Sequence, residues 1–149
     1  MEEIDYEVLE REIEKQLRKA KEIVLATCAG GRVTARLMAP LSDGLTVMMS
    51  TGGSSEKVAQ MRENPSVALA IGNLKMEAQA EIFGHPGGHP TFLGEYAKKF
   101  PLYAKLYKSN PEDVLVIARP TRIALYKFLG KACEEVLLPE EKRAWRVPL

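Results

Sequence analysis

No run of apolar residues in this chain is long enough to span a bilayer. Its start, MEEIDYEVLEREIEKQ, is acidic and amphipathic, without the basic segment and apolar core of a secretion signal. A cytoplasmic, reducing location is expected. Cysteine is scarce. Cys28 and Cys133 stand alone, with no CxxC, which excludes a disulfide framework and a cysteine-held zinc. Cys28, inside IVLATC, reads as a small buried hydrophobe. No charge of one sign dominates: 21 Lys+Arg face 20 Asp+Glu, so the basic footprint that nucleic-acid binding needs is missing. Neither AGGR nor STGGSS gives GxGxxG, and strands do not alternate with helices. The lysine of FLGKA has no upstream glycine at P-loop spacing and no Ser or Thr after it. Dinucleotide-type and P-loop folds are therefore excluded, and no repeat or linker divides the chain.

What remains is 149 residues with an ordinary 46% of hydrophobic residues, enough for one domain spanning 1–149. Ile4, Val8, Leu9, Ile13, Leu17 and Ala20 recur at helical spacing and predict a helix over about 2–20. Short apolar β-type runs follow: EIVLATC, Val33 to Leu41, and LTVMMST, joined by the turns AGGR and SDG. These predict a three-strand antiparallel meander, with Pro40 at an edge, bulge or strand end. A short helix then carries Val58 and Met61 inward and stops at Asn64–Pro65. SVALAIG and KMEAQAEIFG are two more strands. In the second, Ala78, Ala80 and Ile82 alternate with Glu77, Gln79 and Glu81, giving one buried and one polar face. HPGGHP is a loop, and TFLGEYAKKFPLYAKLYKS is helical around Pro101. DVLVIAR and TRIALYKF read as strands around a Pro120–Thr121 corner, followed by a tail ending in EEKRAWRVPL. Six or seven short strands in antiparallel order make this a mainly β (α+β) domain of small-barrel type with peripheral helices.

The chemistry concentrates in STGGSSEKVAQM, Ser50 to Met61. Hydroxyls, two glycines and one ammonium collect where a helix begins. A helix start offers unsatisfied N–H groups and a positive dipole end, so Ser50, Thr51, Ser55 and Lys57 suit a phosphate. The same residues also suit a plain capped turn, with Ser54 or Ser55 as the cap. Arg36 shifts the balance. It sits among Leu37, Met38 and Ala39 in a strand and needs a partner. Pairing through the SDG turn would bring it beside Ser50 and Thr51. A surface ion pair with Asp43 or Glu56 is the plainer alternative. Glu56 must turn away from any anion bound by Lys57.

The stretch IVLATCAGGRVTARLMAPLSDGLTVMMSTGGSSEKVAQMRENPSVALAI resembles the pyridoxamine 5′-phosphate oxidase-like FMN-binding split barrels. The shared order is an Ala-Thr strand end, a strand carrying Arg, a strand ending in a hydroxyl pair, a Ser-x-Lys helix start, and Asn-Pro. MEAQAEIFG resembles the family's next strand, and VLVIARPTRIALY matches more loosely. The resemblance implies a six-stranded antiparallel split β-barrel that binds FMN at a homodimer interface and acts as an oxidoreductase. Arg36 and Lys57, with Ser50, Thr51 and Ser55, would hold the FMN phosphate. The backbone of Arg36, Leu37 and Met38 would line the isoalloxazine edge. Gln79 would approach the ring from the neighbouring strand, and Tyr126 falls where relatives place an aromatic. Implied partners are a second copy and a small-molecule substrate or electron acceptor, not nucleic acid or membrane. Two departures speak against vitamin B6 oxidation: YKFLGKACEE lacks the family's Arg-x-His, and MAPLSD lacks the lysine after the strand arginine. Related barrels also use deazaflavin or haem, or only carry a ligand.

Other residues draw lesser expectations. His85 and His89 in a Gly/Pro loop read as loop residues rather than metal ligands, with a haem role left open because some relatives of the resembled family bind haem through a histidine. Phe92, Tyr96, Phe100, Tyr103 and Tyr107, near helical spacing, read as core packing or a dimer surface, with the roof of a substrate pocket as the alternative. Trp145 reads as a clamp onto a partner, and Glu77 and Glu81 as a solvated face. No residue stands out as a catalytic acid or base.

Overall fold

The computed structural model describes residues 1–106 and 110–149; Tyr107 lies outside the described residues. In chain order the elements are β1 (Glu2–Ile4), α1 (Tyr6–Lys19), β2 (Ile23–Ala29), β3 (Arg32–Met38), β4 (Leu41–Asp43), β5 (Thr46–Gly52), α2 (Glu56–Glu63), β6 (Ser66–Ile71) and β7 (Leu74–Gly84). A 3-10 turn, α3 (Phe92–Lys99), α4 (Pro101–Leu106), β8 (Asp113–Phe128), β9 (Ala132–Leu138) and β10 (Arg143–Pro148) complete it. Every described pairing is antiparallel, in the order β1-β10-β9-β8-β7-β6-β2-β3, and the sheet does not close. β7 runs along β8 from Leu115 to Leu125 on one side. On the other side β5 takes the first half of β8 and β9 the second. The sheet forks there, and the fork is the split of a mainly β split barrel.

Alternation places Leu25, Leu69, Met76 and Ile123 in the interior, closed over by Leu9, Ile13 and Leu17 of α1 and Val58 and Met61 of α2. A second, smaller cluster packs Phe92 of α3 onto Leu41, Met48, Leu115 and Ile117. α1 starts at Tyr6 rather than near residue 2, because the Asp5 carboxylate accepts the Val8 amide at 3.0 Å and caps it. Val8, expected on the apolar stripe, faces solvent.

The predicted meander is corrected. The strand expected over Val33 to Leu41 breaks after Met38. Pro40 has no amide to donate, and it restricts the residue before it. Only Leu41–Asp43 turns back onto Thr46–Met48; the rest of β5 pairs with β8. β8 is one 16-residue strand rather than two around a corner. Pro120 is absorbed at a bulge, where Ala78 opposes Pro120 and Glu77 opposes Arg122. The expected tail is a hairpin, β9 and β10, with β1 added at its edge. Trp145 lies in β10 with the Arg143 guanidinium 4.6 Å from its ring centre.

That hairpin is tied down by Glu135, only 4% exposed. Its carboxylate takes Lys127 at 2.5 Å and Arg146 at 2.7 Å; Lys127 also reaches Glu12, and Arg146 reaches Glu2. Burial alone would raise the Glu135 pKa, but the hydrogen bonds and charges of Lys127 and Arg146 outweigh it and hold the group below the usual 4.5. Its stabilising contribution is therefore complete at neutral pH and is lost as pH falls below 4.5. Glu135→Gln is expected to cost about 2–4 kcal/mol in urea unfolding at pH 7, with the gap to the parent protein closing in acid.

Candidate functional site

The β5–α2 loop is held by backbone. The Gly53 amide donates to the Glu112 carbonyl at 2.9 Å, and the Ser55 amide to the Gly52 carbonyl at 3.2 Å. A Cβ on Gly53 would lie 2.4 Å from that Glu112 oxygen, so only glycine fits. Ser55 occupies the N-cap of α2 but makes no capping bond. Its hydroxyl is buried and has no hydrogen-bond partner among the described residues. Ser54, the other expected cap, is exposed and points to Glu112 at 3.5 Å. The α2 start thus keeps its positive end, and the buried hydroxyl beside it is left unpaired.

Arg36 reaches this helix from β3. The broken meander means it does not meet Ser50 and Thr51 across a ladder. It instead donates to the Leu25 carbonyl at 3.3 Å and to the Thr27 and Thr34 hydroxyls at 2.7 and 2.5 Å. Both hydroxyls in turn donate to the Gln60 side-chain oxygen of α2, at 2.5 and 2.7 Å. The Gln60 amide donates to the Arg32 carbonyl at 3.2 Å. Each hydroxyl has one proton, so giving it to Gln60 leaves its oxygen free to accept from Arg36. The relay positions the guanidinium without neutralising it. Thr27, Thr34 and Gln60 were not singled out in the sequence, although the Ala-Thr strand end was a signal for Thr27.

Lys57, in the first turn of α2, has no ion pair among the described residues. Burial lowers its pKa first, and the nearby Arg36 charge lowers it further. Burial also lowers Arg36, partly offset by Glu56. Glu56 itself is ion-paired with Arg32. Arg36, Lys57 and the Ser55 hydroxyl therefore form one partly dehydrated, positively charged corner. Ser50 and Thr51 end β5 at the entry to the same loop, opposite Leu115 and Val114.

β3 is the last strand on its side of the sheet. Leu37 is 63% exposed on the outer face, while Met38 packs against the core. Gln79 is not on a strand next to β3: β6 and β2 intervene. It donates to Ser66 at 3.0 Å on the outer face, flanked by the Glu77–Arg122 and Glu81–Arg119 pairs. Tyr126 is half exposed beside the β6–β7 turn, its amide donating to the Asn73 carbonyl. Both ring nitrogens of His85 are engaged, by the Gly87 amide and the Asn110 carbonyl, and His89 Nδ1 takes the Thr91 and Phe92 amides. Cys28, expected to be buried, is half exposed on the outer face. No helix among the described residues is long and apolar enough to cross a membrane.

The family model described as pyridoxamine 5′-phosphate oxidase matches residues 9–127. No match is found among curated proteins. Among solved structures, a putative pyridoxamine 5′-phosphate oxidase from Listeria innocua is 23% identical with a TM-score of 0.66, covering 78% of this chain and 97% of that one. An F420 Reductase is 22% identical with a TM-score of 0.60, covering 74% and 94%. An FAD-binding protein from Mesorhizobium loti is 14% identical with a TM-score of 0.61, covering 76% and 90%. At these identities the likeness is one of fold.

Gly53→Ala is expected to push the loop off Glu112 and to cost about 1–3 kcal/mol, as overpacking does. Urea unfolding measures the loss; an unchanged midpoint would contradict the close approach.

Proposed function

This chain belongs to the pyridoxamine 5′-phosphate oxidase family, and on that footing we propose that it is an FMN-binding oxidoreductase acting on a small molecule. The observation that carries the reading is the corner at the start of α2. There a buried Ser55 hydroxyl lacks a partner among the described residues, near two cations, Arg36 and Lys57, that form no ion pair among those residues. A phosphate monoester of roughly −1.5 to −2 charge fits that deficit. Arg36 and Lys57 would bind it with Ser50, Thr51, Ser55 and the α2 amides. The backbone of Arg36, Leu37 and Met38, on the terminal strand, would hold the edge of the ring. Bound there, the flavin would supply two-electron transfer, with the protein contributing orientation and charge. The F420 Reductase and FAD-binding neighbours are consistent with a flavin-type ligand. Pyridoxamine phosphate is not the proposed substrate, because the Tyr126–Glu135 segment has neither the arginine nor the histidine expected for it.

A homodimer belongs to the same proposal. Val33 (69% exposed) and Leu37 (63%) share the outer sheet face with the exposed Ala35, Ala68 and Ala70, an apolar surface unusual for a monomer. Gln79 lies on that face too, so it would reach a flavin from the partner subunit rather than within its own chain.

The absorption spectrum of the purified protein, with mass analysis of the ligand released on denaturation, is expected to give FMN; a Soret band or a deazaflavin mass would overturn the assignment. Arg36→Ala and Lys57→Ala are expected to weaken FMN at least about tenfold and riboflavin little, because a charge-assisted bond is worth roughly 1.5–3 kcal/mol and only FMN has the phosphate. Equal losses for both ligands would sink the phosphate site. Light scattering is expected to give twice the 16.6 kDa chain mass, and Ala68→Arg is expected to shift it toward monomer.

A further inference from the structure

A cavity that the phosphate corner does not use lies beside β3. It measures about 440 Å³, and its lining includes Leu37, Met38, Phe100, Leu102, Lys21 and Lys99. That volume falls in the range of small-ligand sites, roughly 300–1,000 Å³. Its two cations are fixed by carbonyls alone. Lys99, the last residue of α3, donates to the Pro40 carbonyl at 2.8 Å, and Lys21 donates to the Lys99 carbonyl at 3.4 Å. Both ammonium groups lie against one ring, 5.4 and 5.5 Å from the centre of Phe100.

Among the described residues neither lysine has a carboxylate partner. Glu22 stands exposed on the cavity wall and pairs with neither. Glu95 is held by Lys98, and Arg18 adds a further positive charge from α1 on the far side of Lys99. Burial first, and then the Lys21 charge, bring Lys99 down to about 8. Each ammonium has three N–H donors and spends one on a carbonyl, so two remain on each. The rest of the wall is apolar and aromatic. It offers no arginine fork, and neither of its helices begins there with a free serine, as a phosphate dianion would favour.

We propose that this cavity binds a small carboxylate with an apolar body, the carboxylate between Lys21 and Lys99 and the body against Phe100, Leu102, Leu37 and Met38. Because Leu37 and Met38 also belong to the strand assigned to the flavin, such a ligand would lie at the ring edge, where a substrate belongs. That placement rests on the proposed function; the anion site rests on the lysine pair alone.

Calorimetric titration of the purified protein with benzoate, benzamide and inorganic phosphate tests this at pH 7 and pH 9. Benzoate stays ionised throughout, whereas Lys99 goes from about nine-tenths to about one-tenth protonated. Benzoate is expected to bind about tenfold more tightly at pH 7 than at pH 9, and benzamide and phosphate at least tenfold more weakly than benzoate at pH 7. Lys99→Met is expected to remove the pH dependence, and benzoate is expected to perturb the visible band of bound FMN. Benzamide or phosphate binding as well as benzoate, or benzoate binding equally at both pH values, overturns the proposal without the variant. Protein that holds no FMN yet takes benzoate with this pH dependence keeps the cavity and loses the flavin reading. FMN-loaded protein indifferent to benzoate keeps the flavin and loses the cavity.

Discussion

Two positive charges, Arg36 and Lys57, are held near one another with no ion-paired carboxylate among the described residues, and much of the local structure serves to keep them there. Partial loss of water favours the neutral form of both, and the Arg36 charge adds to that effect at Lys57. The guanidinium is held by neutral oxygens: one carbonyl and two threonine hydroxyls aligned by the Gln60 amide. A carboxylate at position 60 would satisfy the same hydroxyls and cancel the charge. The amide fixes geometry through its dipole and leaves the positive potential intact. Because Thr27 belongs to β2, Thr34 and Arg36 to β3, and Gln60 to α2, that relay also fastens the helix to the sheet edge. The apolar contacts of Val58 and Met61 supply the bulk of the packing, and the relay sets its register.

The forked sheet gives the corner its surroundings. β5 leaves the β2–β3 pair to join β8, and the terminal edge of β3 is left without a strand neighbour. The buried break at Pro40 lets this happen. Its carbonyl takes the Lys99 ammonium, so one proline both frees the strand edge and anchors a cation of the adjoining cavity. Inward-facing Arg36 and outward-facing Leu37, one residue apart, serve opposite sides of the same strand through simple alternation.

The sequence made the local parts legible. Alternation in KMEAQAEIFG correctly separates an interior row from the Glu77, Gln79 and Glu81 row, because period-two burial is a local signal. The helix start after STGGSS was equally plain. Long-range pairing was not. The SDG turn suggested that β3 continues into β5, but most of β5 is taken by β8, whose paired residues run from Asp113 opposite Gly52 to Ala118 opposite Val47. β8 itself was read as two strands because Pro120 cannot donate to a ladder; the bulge opposite Glu77 and Ala78 removes that demand. The β9–β10 hairpin was missed because Glu135, Lys127 and Arg146 look like solvent-facing charges until their mutual pairing is seen. Lys21 and Lys99 gave no signal for the same reason: residues 78 positions apart meet only when α3 packs against β4 and its end reaches Pro40.

The pairing of β5 with β8 also sets an order of events during synthesis. Val47 lies opposite Ala118 and Gly52 opposite Asp113, while Glu112 holds Gly53. Arg36, Lys57 and Ser55 leave the ribosome early, but the strand that anchors their loop comes much later. Until residues 112–118 emerge, the nascent chain carries an apolar β5 paired only with the short β4, and a serine-rich loop without its Glu112 anchor. A chain cut short before β8 contains every residue of the cationic corner and lacks the scaffold that shapes it.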